Sequence, residues 1–258
     1  MRKQFPFKHK KTTYMNEKTY LLAISLFPLI AFSQTGRVNY YLQKDSFTGR
    51  LEQFKMAYGT NKLIPPGMEA ECLAALSFFP ELKSTTIEFK MASIPATMQS
   101  HPAWETVFKN KRNRKYIITL QQAGCSRRGF DWQDLSFNAT VGWIGHELSH
   151  IAHYQEKTTG GILLMGYQLL FPSYRRKMER FTDGVAICHG LGLALYEGTD
   201  FVLNCSAAKK SYKKRLKKNY LLPAEIIGLQ NGTENLSAQY HKTRFKKNRI
   251  PMSGIALK

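Results

Sequence analysis

Acidic side chains are scarce in this 258-residue chain: 18 Asp and Glu stand against 38 Lys and Arg, a formal net charge of +20. Such an imbalance favours anionic surfaces, whether lipid headgroups, polysaccharide or nucleic acid. Cysteine is rarer still. The four present, Cys72, Cys125, Cys188 and Cys205, include no CxxC pair, which argues against a cysteine zinc cluster or a thioredoxin-type site. Four cysteines allow three pairings in an oxidising compartment. Cys188 and Cys205 flank one apolar segment and could close a short loop, with buried free thiols as the alternative. Long hydrophobic runs are missing as well. The run YLLAISLFPLIAF has 13 residues, short of the roughly 20 that a membrane-spanning helix needs. No sequence period of about 20 to 50 residues recurs, so repeat architectures are set aside. What remains, at 43% hydrophobic, is enough to build a folded core.

The N-terminus has the layout of a secretory leader. Basic, polar residues 1–18 precede the apolar run, and the small residues Ala31 and Ser33 follow, which predicts cleavage after Ser33. Met15 is an alternative start, since MNEKTYLLAISLFPLIAFSQ is a complete leader by itself. An uncleaved N-terminal membrane anchor is the competing expectation; without a cysteine beside the cleavage point, a lipoprotein anchor is unsupported. The expected location is therefore periplasmic or extracellular. After cleavage 32 basic and 17 acidic residues remain, with the densest basic clusters at 109–115 (KNKRNRK) and 209–218 (KKSYKKRLKK). No nucleic-acid motif accompanies them, so they read as a solvated basic face suited to anionic envelope surfaces, with no specific nucleic-acid partner.

The pattern along the chain predicts an α+β fold: a small sheet followed by one long helix and a mostly helical C-terminal half. Residues 34–67 are mixed and end at LIPPG; MEAECLAALSFF has helical spacing; 85–91 (TTIEFKM) and 114–120 (RKYIITL) have strand composition. Helices are expected over 139–156, 161–171 and Pro172–Leu195, with Pro172 in a first turn. The segment GGILLMGYQLLF is expected to be a buried core helix. The boundaries are thus a leader at 1–33, one domain at 34–229, and a basic, loosely ordered tail at 230–258.

The chemistry concentrates in VGWIGHELSHIAHYQEK, residues 141–157. On a helix His146 and His150 lie one turn apart on one face, so both can aim a ring nitrogen at one ion. Two imidazoles and a carboxylate suit Zn2+ and leave a position for water. Glu147, rotated about 100° from His146, would stand beside that water as a general base. No histidine follows at the elongated-motif position, which Glu156 occupies, so the third ligand has to come from elsewhere. The run ERFTD supplies it. Glu179 is the candidate ligand, with 28 residues between it and His150, and Asp183, one turn on, would accept the free ring N–H of a ligand histidine. A pair of carboxylates in an otherwise apolar helix of a basic protein calls for a cation.

HELSHI followed by E-x-x-x-D on a later helix resembles the gluzincin metallopeptidases, in particular the CaaX-prenyl-protease and heat-shock membrane protease group. The resemblance covers about residues 139–195 and implies zinc ligands His146, His150 and Glu179, a catalytic base at Glu147, and a supporting role for Asp183. Members of that group are integral membrane proteins, whereas this chain has no apolar span after its leader; the expectation is a soluble, exported, minimal relative. The group also uses a downstream residue to stabilise the oxyanion. Candidates here are His189, Tyr212 and Tyr220, with His189 read first as a satisfied helix histidine, and His153 is read as a surface group. The implied function is a zinc metalloprotease acting on a peptide or protein substrate. The alternatives are a non-catalytic zinc-containing envelope or binding protein and a metal-free adhesion protein.

Overall fold

A four-stranded sheet and a set of helices make up the α+β architecture. The computed structural model describes residues 41–122, 124 and 128–231, all within a compact unit that begins at Gly36. The expected leader, the start at Met15, Cys125 and the tail beyond residue 231 lie outside the described residues.

The strands are β1 (Lys62–Leu63), β2 (Thr86–Ala92), β3 (Met98–Pro102) and β4 (Lys115–Gln121), in the order β1-β2-β4-β3. β2 runs parallel to both β1 and β4, and β3 is antiparallel to β4, with Ser100 opposite Ile118. β2 and β4 are the two expected strands, each one residue further on. β4 is covered on both faces from Tyr116 to Gln121, which is why it reads as a near-continuous apolar run. β3 was not anticipated. Its sequence, MQSHP, is polar and ends in proline, and a proline is tolerated there because β3 is an edge strand.

Residues 34–67, read from the sequence only as mixed, contain α1 (Lys44–Thr48) and α2 (Leu51–Tyr58). They sit against α3 (Glu69–Leu76), with Phe47 buried and Lys44 paired to Glu71 at 3.1 Å. The amide of Leu42 donates to Asn138 Oδ1 at the head of α4 (Phe137–Glu156).

α4 is the axis of the molecule. Ser136 caps it by accepting from the amide of Ala139 at 3.1 Å. Val141, Ile144, Leu148 and Ile151 are fully buried, and a Cβ at Gly142 would lie 2.4 Å from the backbone of Ala194. Only glycine permits that approach of α7 (Gly192–Asp200).

Two helical expectations need correction. The third helix is not continuous from Pro172 to Leu195. α6 (Pro172–Ala186) gives way to a wide π turn at Ile187–Leu191, where Gly190 adopts φ 88°, before α7 begins. The second correction concerns α5 (Thr159–Gln168), expected to be buried. Only Ile162 and Met165 reach the core, while Leu163, Leu164 and Tyr167 are 45%, 56% and 60% exposed, and Leu170 and Phe171 just beyond are 70% and 48% exposed. A segment apolar on all sides carries no polar face to say which side is covered.

α8 (Lys210–Asn219) holds the second basic cluster, and a last helical run at 223–231 carries the fold past the expected end at 229. Cys72 is a buried free thiol, and Cys188 and Cys205 are exposed and free, so no loop is closed between them. Among the described residues no helix is long and apolar enough to cross a membrane.

Candidate metal centre

α4 presents His146 and His150 one turn apart, and α6, packed against it, brings Glu179 to them. One ligand atom from each of the three lies within 4.8 Å of the other two. Glu179 Oε2 is 3.2 Å from His146 Nε2 and 3.4 Å from His150 Nε2. The three can hold a metal ion.

The opposite ring nitrogens show which atoms are free to do so. His146 Nδ1 is 2.8 Å from Asp183 Oδ1, and a carboxylate can only accept, so this nitrogen carries the proton. Thr182 donates its hydroxyl proton to the carbonyl of Met178 at 2.9 Å, which leaves its oxygen to accept from His150 Nδ1 at 3.2 Å. Both imidazoles therefore turn an Nε2 lone pair toward the Glu179 carboxylate. Three electron-rich atoms converging in this way form a set that a cation would hold together. Without a metal the histidine protons fill that role. Burial alone disfavours charge on His146, but Asp183 and Glu179 outweigh it and raise its pKa well above the ordinary value. Burial would likewise raise the Glu179 carboxyl, yet the two histidines hold it well below the usual carboxylate range.

Glu147, 8% exposed, leaves α4 on the side facing β3 and accepts from Ser100 Oγ at 2.7 Å. A cleft opens there, reaching His146, Glu147 and Asp183. Met98, Trp143, Leu195 and Leu216 form its apolar wall, and Arg128, Arg215 and Tyr212 line its basic side. The Tyr212 ring takes the Arg128 guanidinium at 4.5 Å and that of Arg215 at 5.5 Å.

The three oxyanion candidates separate. Tyr220 lines the cleft, its ring 5.6 Å from the ring of His146. Burial first, then Glu179, Tyr212 and Glu147, pushes its phenol well above the ordinary value, so it stays a proton donor. Tyr212 also lines the cleft, but its hydroxyl is 3.2 Å from Thr97 Oγ1. His189 is not among the lining residues. It is held by Glu81 at 2.7 Å and the Val185 carbonyl at 2.8 Å and stacks on Phe79, as a satisfied helix histidine would. His153 departs from expectation. It packs against Phe181 with a buried Nδ1, and burial, then Lys157 and His150, lowers its pKa to about 4.

Two contributors were not foreseen. Thr182 stands three residues after Glu179, on the same helical face, and that spacing could have revealed it. Ser100 sits in the unanticipated edge strand, where a lone serine among polar residues gives no signal. In comparisons with protein-family models, curated proteins and solved structures, none matches this chain.

Proposed function

We propose that the chain is a zinc-dependent metalloprotease. The observation that carries this reading is the convergence of His146 Nε2, His150 Nε2 and Glu179 Oε2 within 4.8 Å, with Glu147, next to His146 in the chain, lining the cleft that reaches His146. Two imidazoles and one carboxylate are a donor set that suits Zn2+ and leaves a position for water. Bound there, zinc supplies a Lewis acid that polarises an amide carbonyl and makes water a better proton donor.

The remaining work falls to the chain's own groups. Glu147 takes a proton from the attacking water and returns it to the departing amine, and the Ser100 hydrogen bond holds the carboxylate toward the cleft. Tyr220, kept protonated by its burial, donates to the oxygen on which charge develops. Asp183 and Thr182 keep the histidine protons on Nδ1. The unpaired edge of β3 receives the substrate backbone as an added strand. A secretory leader would place this activity outside the cytoplasm.

Elemental analysis of the purified full chain, wild type beside Glu179→Ala, comes first. The expected result is about one zinc per chain, lost in the variant while its circular dichroism stays unchanged. A Glu147→Gln variant is then expected to keep zinc and lose peptide cleavage. Wild type that holds zinc and cleaves nothing across a broad peptide library leaves a non-catalytic zinc protein. Wild type that takes up no zinc sinks both.

A further inference from the structure

The apolar segment that the metal centre leaves unexplained is α5 with the turn after it, where five side chains are exposed: Leu163, Leu164 and Tyr167 in the helix and Leu170 and Phe171 just beyond. A second exposed pair, Trp104 at 65% and Phe108 at 76%, lies in the turn between β3 and β4. These seven are the majority of the twelve exposed large hydrophobic side chains among the described residues, so the exposure is concentrated and not scattered. The two segments are bound to one another. Thr159, the first residue of α5, donates to the carbonyl of Val107 at 3.0 Å. Arg114 donates to the Lys157 carbonyl at 2.7 Å and to Thr159 Oγ1 at 3.1 Å, and Lys111 reaches the Glu156 carbonyl at 2.8 Å.

Basic side chains border both segments. Lys109, Lys111 and Arg112 are exposed after Phe108, and Arg175, Arg176 and Lys177 are exposed on the first turns of α6 after Phe171. Against these six stand only Glu105 and Glu156 as exposed acids of the same stretches. We infer that the face built from the Trp104–Phe108 turn and α5 docks onto an anionic phospholipid bilayer.

The chemistry of the face selects this occupant. Aromatic rings with a polar end settle at the headgroup boundary, and aliphatic side chains reach the acyl region beneath. Flanking Lys and Arg are drawn to anionic headgroups. A second copy of the chain would bring six more positive charges against these six, with only Glu105 and Glu156 of each copy to offset them. The inference does not depend on the hydrolytic reading, because no residue of this face belongs to the metal centre or its cleft.

The test uses the full chain and a local readout, since the apolar run near the N-terminus could bring any variant to a vesicle. Trp104 fluorescence is followed with vesicles of brominated phosphatidylcholine and phosphatidylglycerol, with Trp104→Phe supplying the background of the other tryptophans. Quenching of Trp104 is expected, falling by more than half in Leu164→Ser/Leu170→Ser and in Arg175→Gln/Arg176→Gln/Lys177→Gln. Vesicles lacking phosphatidylglycerol, or about 0.5 M salt, are expected to weaken it similarly. All the altered side chains are exposed, and because Arg175 donates to the Leu169 carbonyl at 2.9 Å, unchanged circular dichroism of each variant is required for the comparison. Three outcomes overturn the inference: no quenching with anionic vesicles, quenching in both variants as strong as in wild type, or self-association that Leu164→Ser/Leu170→Ser disperses while lipid leaves Trp104 unquenched.

Discussion

α4 and α5 follow one another in the chain, separated by Lys157 and Thr158, and both are dense in apolar residues and glycine. One is buried along most of its length and carries the histidines; the other touches the core through Ile162 and Met165 alone. Their glycines mark the difference. In α4 they admit neighbours, with Ala194 against Gly142 and Leu191 against Gly145. In α5, Gly160 and Gly166 face open space. Apolar composition marks a helix that wants cover; the small residues show whether another element has come close enough to give it.

Predictions follow from this contrast, beginning with the largest effect. In the peptidase reading, Glu147→Gln on α4 is expected to slow hydrolysis by about 10²–10⁴-fold with zinc retained, as measured by single-turnover cleavage, whereas Leu164→Ala on α5 leaves the rate unchanged. Leu148→Ala is expected to cost about 2–5 kcal/mol in urea unfolding, against about 0.5 kcal/mol or less for Leu164→Ala. Comparable costs would erase the distinction between the helices.

The same glycine substitution is expected to change sign between them. Gly142→Ala forces a methyl into the Ala194 backbone and destabilises by about 1–3 kcal/mol or more. Gly166→Ala meets nothing and stabilises by about 0.5–1 kcal/mol through helix propensity. Thermal melts of the two variants decide it.

Zinc binding should also depend on pH. The metal-free His146 holds its proton to a pH above the ordinary histidine value, so zinc must displace that proton. Affinity is expected to fall about tenfold per pH unit for each proton displaced as pH drops below that raised pKa. Titration calorimetry in buffers of different ionisation enthalpy measures the release. Of the two effects on rate the smaller is that of Ser100→Ala, about a tenfold loss at unchanged zinc content, from one hydrogen bond to a charged carboxylate.

Much of the candidate metal centre's grouping was legible because its spacing is local. His146 and His150 are paired by a single turn, and Glu179 with Asp183 by another. β4 was legible because a strand covered on both faces is apolar along its length, and β2 because its buried Ile87 and Phe89 alternate with more exposed positions. Ser100 and β3 were not, because an edge strand needs neither an apolar face nor a full set of backbone partners. The break at Gly190 was hidden inside a run whose composition suits a continuous helix. The exposure of α5 was hidden because burial depends on which elements arrive, and a helix apolar on every side does not announce that.

Asp183 has a consequence beyond orienting one imidazole. Its Oδ1 faces His146, while its Oδ2 accepts the amide of Leu221, the residue after Tyr220, at 2.8 Å. One carboxylate is thus the common datum for a candidate metal-binding histidine and for the backbone beside the cleft's tyrosine, groups far apart in sequence. Their positions share a single source of error. Loss of Asp183 would displace both at once, and the combined defect of Asp183→Ala with Tyr220→Phe would be smaller than the sum of the two taken separately.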